Sequence, residues 1–276
     1  MDAAASVSFI EDRGSDLEKA RLRWILYGES PDPAVVGPFL DLQNTDGGFP
    51  FRMEPGLPSA LNHTHGALLR MDELGMLGSP SAKRAFEFTC NRQKDDGGWD
   101  ENPRLTDCET PPWGTPGDTR ARVYLTSQSA FWLAAGGYKG HPAFQKALDY
   151  LASHQEKSGR FQGFLHTTWI ASSAFLMAGD PNLKVVEKGL EALLAVPLSE
   201  WVDSQISWAL GCLGRAGLPR SHPFAEKILP TLVDRRAEDG AWASEDGEAQ
   251  RVGATLEALK ALKHFGMLSG VGMGLS

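Results

Sequence analysis

Several side chains in this sequence have the type and spacing to act on a ligand. His63, His65 and His166 stand near the starts of two apolar helices. There an imidazole can ligate a metal or exchange a proton as a general acid or base, or simply cap the helix. Positions 63 and 65 are two apart, so a helix points them to different faces. Asp203 opens a third such helix. A carboxyl in an apolar enclosure keeps its proton and becomes a catalytic donor, whereas the same group at a helix start is an N-cap. Gln128 and Gln205 lie near two helix starts and join these as candidate substrate contacts. Trp132, Trp169 and Trp208 fall on successive apolar helices, where π faces stabilise a passing positive charge or fill a core. Arg120, Arg122 and Arg251 can pair bidentately with a diphosphate or serve as plain surface charge.

What must position these residues is a repeat. Gln93-Lys94-Asp95-Asp96-Gly97-Gly98-Trp99 recurs as Gln43-Asn44-Thr45-Asp46-Gly47-Gly48-Phe49 and, more loosely, as Gln155-Glu156-Lys157-Ser158-Gly159-Arg160-Phe161. A fourth copy, Arg236-Ala237-Glu238-Asp239-Gly240-Ala241-Trp242, has lost the leading Gln, and around Trp201 only the aromatic survives. Each heptad reads as a helix end, an Asp-Gly or Ser-Gly turn and a ring that packs back. The Gln amide is expected to satisfy carbonyls orphaned where the helix stops. Ser-Pro, His-Pro and Asp-Pro pairs start the helices before the heptads, and Gly75, Gly137, Gly179, Gly217 and Gly266 close those after them. Registered on these glycines, Thr64, Thr126, Thr168, Ile206 and Thr255 become equivalent. No stretch alternates with period two, so almost no sheet is expected. Helices before the heptads carry charge along one side and those after are apolar, the pattern of polar outer and apolar inner rings. An open stack of helical pairs shares it. Residues 1–14 read as a flexible lead-in, 15–268 as one domain and 269–276 as a flexible tail. Residues 100–119, rich in proline, form the longest connection and suit a lid or a surface excursion.

Composition sets bounds on function. The chain has 276 residues, 42% hydrophobic and 22% charged, ordinary for a globular protein. A net charge of −8 argues against a nucleic-acid partner. Three scattered cysteines suggest free thiols, not a disulfide frame. The start of the chain lacks the basic and apolar regions of a signal peptide, and no apolar run reaches the roughly 18 residues of a membrane span. A cytoplasmic location is the expectation.

The repeated Gln-x-x-Asp-Gly-Gly-aromatic heptads between helices resemble the QW repeats of squalene–hopene cyclases and other class II terpene cyclases. They are similar also to the repeats of protein prenyltransferase β subunits, over residues 30–266. The resemblance implies an (α/α) toroid whose central cavity binds isoprenoid chains. It does not carry the active-site motifs with it. Class II cyclases place an Asp-x-Asp-Asp acid motif at an inner-helix start, and none of the five starts here has paired aspartates. Asp107-Cys108-Glu109-Thr110 only faintly resembles the Asp-Cys-Thr-Ala-Glu motif, and lies in a loop. Asp203 falls where the prenyltransferase zinc Asp would stand, but Gln205 and Arg251 occupy the places of the Cys and His. Neither can replace a thiolate or imidazole on zinc. No metal and no cofactor are therefore expected.

The sequence thus predicts an all-α, single (α/α) toroid of about eleven helices in two concentric rings. The partner is a hydrophobic, isoprenoid-like small molecule. Asp203 is the expected acid with His166 assisting. The expected substrate contacts are His63, His65, Gln128, Trp132, Trp169, Gln205, Trp208 and Arg251. The alternative is a non-catalytic ligand-binding or protein-interaction module on the same fold.

Overall fold

The computed structural model describes residues 1–179 and 183–269. Among them are twelve α-helices: α1 (Ala4–Arg13), α2 (Asp16–Tyr27), α3 (Pro33–Leu40), α4 (Leu61–Asp72), α5 (Pro80–Cys90), α6 (Thr119–Ala135), α7 (Pro142–Ser153), α8 (Leu165–Ala178), α9 (Leu183–Leu194), α10 (Asp203–Arg215), α11 (Pro223–Asp234) and α12 (Arg251–His264). The described sheet is one antiparallel pair, β1 (Phe49–Pro50) with β2 (Ser59–Ala60). The helices gather into two compact units. The first comprises Met1–Val36, Glu73–Gly75 and Leu194–Ser276; the second comprises Gly37–Asp72 and Met76–Leu193.

Local chemistry sets the helix starts. α5, α7 and α11 begin on proline, whose missing N–H is no loss at that position. The preceding side chain caps each: Ser79 Oγ accepts from the Ala82 N–H, His141 Nδ1 from Ala143 and His222 Nδ1 from Phe224. The Asp180-Pro181 start expected for α9 lies outside the described residues. α6 begins at Thr119, five positions before the sequence expectation of 124, because Asp118 caps it through the Ala121 N–H at 2.8 Å. Arg120 and Arg122 in its first turn had hidden the apolar period there.

The heptads join helices in a recurring way. In the first three, Gln Nε2 donates to the carbonyl of its own turn glycine (Gly47, Gly97, Gly159). It donates also to a first-turn carbonyl of the following heptad-preceding helix: Ser81 on α5, Ala143 on α7 or Val185 on α9. This corrects the expectation that the amide satisfies the helix just ended. That task falls to the indole: Trp99 Nε1 donates to Thr89 O, and Trp242 Nε1 to Leu232 O, both at 2.7 Å. The threonines placed in register by the closing glycines prove to be a functional part of the repeat. Thr64, Thr126, Thr168 and Thr255 each accept the backbone N–H of their heptad's ring residue, at 2.9, 2.9, 3.2 and 3.2 Å. Ile206 cannot do this, and in that decayed repeat Arg235 binds the carbonyls of Trp201 and Leu198 instead. Thr126→Val should leave the buried Trp99 N–H unsatisfied and cost about 1–3 kcal/mol in urea unfolding, while Thr126→Ser should cost less. Equal losses for the two would show that packing, not the hydroxyl, matters there.

The start of the chain differs from expectation. Residues 1–14 are not a loose lead-in: α1 forms and buries Ser6, Phe9 and Ile10. Among the described residues no helix follows α12, and α1 stands against the fourth heptad. Its backbone at Ala5 and Ser6 lies against Gly240. Ser6 Oγ donates to Gly240 O at 2.6 Å, the bond that Gln makes in the other copies. At the other end, Met267 O accepts the terminal ammonium and Ser269 N–H donates to Met1 O. Residues 270–276 of the expected flexible tail lie outside the described residues.

Candidate functional site

The second unit brings the N-terminal ends of α4, α6 and α8 together with the 100–118 connection. That connection is fastened. The buried Glu101 carboxylate accepts the N–H groups of Leu61, Asn62 and Asn102 at 2.7, 3.1 and 2.8 Å, which caps α4 from outside the helix. Burial still pushes the Glu101 carboxyl up, against the lowering effect of these three bonds. Leu105 buries against Phe51 and Ala60. So the segment reaches over the start of α4 as an anchored strap, and it delivers Trp113.

Trp113 stands edge-on to Phe164 at 6.4 Å and to His166 at 6.2 Å. Phe164 and His166 stack with centroids 5.2 Å apart and planes at 9°. Tyr124 meets the His166 ring edge-on at 4.9 Å, and Trp169 meets it at 5.9 Å. Tyr124 and Trp169 are buried, whereas Trp113, Phe164 and His166 are half-buried. The arrangement is an aromatic wall with three partly open rings on a closed backing. Arg120 lies over the Phe164 face at 4.6 Å and donates to Gly163 O. A short polar chain runs beside the wall: Gln128 Nε2 donates to the Tyr124 hydroxyl at 3.1 Å, which donates to Asn62 Oδ1 at 3.3 Å.

Burial holds His63, His65 and His166 neutral at pH 7. Burial lowers His166 to about 4. Burial, with smaller contributions from Arg70 and Arg52, lowers His63 to about 4. Burial alone lowers His65 to about 3. His65 Nε2 sits 3.1 Å from Ser129 Oγ, and His63 packs edge-on to Phe51 at 5.1 Å. The two imidazoles have different surroundings, as their spacing implies. Among the described residues neither Nδ1 has a hydrogen-bond partner, although both are buried. No three His, Cys, Asp or Glu side chains cluster among the described residues as a metal site. Each histidine binds protons more tightly unfolded than folded, so stability should be full above about pH 6.5 and fall as pH drops toward 4. His166→Phe should flatten part of that slope in pH-dependent urea unfolding. An unchanged slope would mean His166 is not held neutral.

The expected site residues divide between the units. His63, His65, Gln128, His166 and Trp169 belong to the second unit: Gln128, His166 and Trp169 stand at the wall and its polar chain, while His65 sits beside Ser129 and His63 beside Phe51. Trp132, on the same helix as Gln128, is buried edge-on to Phe131 at 5.1 Å. Asp203, Gln205, Trp208 and Arg251 belong to the first unit. There Asp203 neither caps Gln205 nor Ile206. It pairs with Arg235 at 3.3 Å and accepts the Ala243 N–H at 3.2 Å. Gln205 donates to Glu245 at 2.7 Å. Arg251 binds both Asp239 oxygens and Glu248, and stacks over Phe9. Arg122 repeats this with Asp96, so both arginines brace heptad turns. Sequence reasoning missed Asn62, Trp113, Tyr124 and Phe164. The ring directly before a helix start, in Phe164-Leu165-His166, was the available signal.

No family model and no curated relative matches the sequence. Solved structures do. A protein from Actinoplanes superposes with a TM-score of 0.64 at 16% identity, covering 95% of this chain and 98% of that one. Type II terpene cyclase MstE from Scytonema superposes with a TM-score of 0.63 at 15% identity, covering 94% and 95%. The fold is the terpenoid cyclase-like α/α toroid. A third such toroid match, ent-copalyl diphosphate synthase from Streptomyces platensis, has a TM-score of 0.59 at 17% identity, covering 91% of this chain and 50% of that one. MstE has been seen with geranylgeranyl dihydroxybenzoate as substrate and merosterolic acid A as product. Among the described residues, no helix is long and apolar enough to cross a membrane.

Proposed function

We propose that this chain is a terpene cyclase-like protein that binds a hydrophobic, isoprenoid-type substrate. The observation that carries this reading is the aromatic wall of Trp113, Phe164 and His166 over Tyr124 and Trp169. Half-buried rings offer apolar area to a prenyl chain, and their π faces stabilise positive charge developing along it. The neutral His166 imidazole is suited to accept a proton that ends a carbocation's life, a base in its own right where the sequence suggested an assistant to Asp203. MstE, on the same fold, takes a geranylgeranyl compound, which supports the substrate class.

Asp203 has both oxygens engaged by Arg235 and the Ala243 N–H, the position of a brace. That geometry, with no paired aspartates at the helix starts, favours a second reading in which the toroid binds the ligand without converting it. One experiment separates the two. The purified protein is examined by native mass spectrometry for a bound lipid, then incubated with geranylgeranyl diphosphate and with squalene and the products analysed. Binding that falls about tenfold in Trp113→Ala supports the site. New products that survive in Asp203→Asn support conversion without Asp203 as acid, and binding without products supports the second reading. Failure of either chain to bind would end both.

A further inference from the structure

The polar chain beside the aromatic wall ends in hydrogen-bonding groups that the protein itself does not use. Asn62, Tyr124 and Gln128 all belong to the second unit, as the wall does. Tyr124 joins the two features. Its ring meets His166 edge-on at 4.9 Å, while its hydroxyl accepts from Gln128 Nε2 at 3.1 Å and donates to Asn62 Oδ1 at 3.3 Å. Each amide therefore has one end fixed on the same phenolic oxygen. Gln128 is only 7% exposed, and among the described residues no donor reaches its Oε1. Asn62 is half-buried, and among the described residues no acceptor takes its Nδ2. Neither atom is sealed away from solvent, unlike the Nδ1 atoms of His63 and His65. An amide half-satisfied at this depth carries a desolvation cost that a bound polar group would remove. A free donor and a free acceptor thus flank one hydroxyl at the edge of the wall.

We propose that Asn62 Nδ2 and Gln128 Oε1 recognise an uncharged hydroxyl, alcoholic or phenolic, at the head of the isoprenoid-type ligand. The ligand class rests on the function proposed above. A hydroxyl both accepts and donates, which matches one free amide N–H group and one free amide oxygen. An ether oxygen could use only the first, and a hydrocarbon neither. The same surroundings disfavour a diphosphate. An anion would be drawn to the N–H groups at the start of α4, but those of Leu61 and Asn62 already donate to the buried Glu101. The arginines at the start of α6 are engaged too. Arg122 Nη2 donates to both Asp96 oxygens, and Arg120 donates through Nε and Nη2 to Gly163 O. The two amides are neutral and cannot balance a charged head. The Tyr124 hydroxyl is a positioning group, which holds both amides and so orients their free ends.

Four probes with one apolar chain and different heads test this: geranylgeraniol, its methyl ether, geranylgeranyl diphosphate and the hydrocarbon of the same chain. Binding to the full chain is followed by quenching of tryptophan fluorescence. The wild type should bind the alcohol about tenfold more tightly than the hydrocarbon or the diphosphate, with the ether between. Asn62→Ala and Gln128→Met each remove an amide, and each should bring the alcohol-to-hydrocarbon ratio of affinities close to one. Hydrocarbon binding by the same variants reports that the wall is intact. Tyr124→Phe keeps the ring on the wall and should lower that ratio several-fold, an effect that packing alone would not have. A diphosphate or an ether bound as tightly as the alcohol, or equal binding of alcohol and hydrocarbon, would overturn the proposal while leaving isoprenoid binding intact. So would a ratio that survives in either Asn62→Ala or Gln128→Met. Failure of all four probes to bind would overturn the underlying reading as well.

Discussion

Gly97→Ala is expected to destabilise the protein by roughly 4 kcal/mol or more, and Gly137→Ala by only about 1–2. Both glycines adopt left-handed backbone, with φ of 87° and 86°. Both variants therefore incur the strain of an L side chain in that region. They differ in what the new methyl would meet. At Gly97 a Cβ would lie 2.5 Å from the Lys146 carbonyl oxygen and 3.0 Å from its carbon, whereas at Gly137 nothing lies within 4 Å. The obstacle at Gly97 is the backbone of α7, which cannot swing aside like a flexible side chain, so the helix must move and loosen the Gln93 bonds with it. Urea midpoints of the two variants measure the difference directly. Similar losses would mean that the heptad turn is not the tight joint described here. Gly47 and Gly159 stand in the same relation to Arg84 and Lys188 and should behave as Gly97 does.

Arg21→Ala should cost about 3–5 kcal/mol, because it removes the main counter-charge from the Glu73 carboxylate, which has no access to water. Glu73→Ala should cost as much, for the same reason reversed: the Arg21 side chain is only 9% exposed. Replacing both at once, Arg21→Met with Glu73→Leu, should lose far less than the sum, since apolar groups of similar volume need no pairing. A double-mutant cycle in urea reads this coupling. Additive losses would show that the pair is a bystander to packing that each residue makes separately.

The architecture was legible because the repeat states it in several independent residue types. Glycine at the turn, proline at the start and threonine in register each require a particular backbone position, and four copies average out local accidents. The threonines show how far this reaches: their equivalence came from spacing alone, and the structure gives each the same bond to a ring residue's amide. α1 was missed because its support is distant. It has few strong apolar residues, and what fixes it is the fourth heptad at the other end of the chain. The candidate site was legible only in part, since a site depends on which side chains meet. His166 and Trp169 could be picked out by residue type. Trp113 and Phe164 lay in loops whose course no periodicity describes, and Tyr124 was taken for a helix's first residue when it lies in the second turn. Asp203 looked like chemistry by resemblance of position. Arg235, the residue that occupies it, is 32 positions away and carries no mark of that in sequence.

The bond between Ser6 and Gly240 spans 234 positions, and it imposes an order of events on the ribosome. α1 emerges long before the turn it receives. At roughly 5–20 residues per second, the nascent helix waits for something like 10–50 s with Phe9 and Ile10 lacking their final partners. Joining such distant segments also carries a larger loop-closure entropy than any neighbouring pair of helices in the chain. The first unit is therefore the late-forming one, drawn from segments far apart in sequence, whereas the helices of the second unit are near neighbours along the chain and can pack as they appear. A newly made chain passes through an interval in which the second unit is folded and the segments of the first are still exposed.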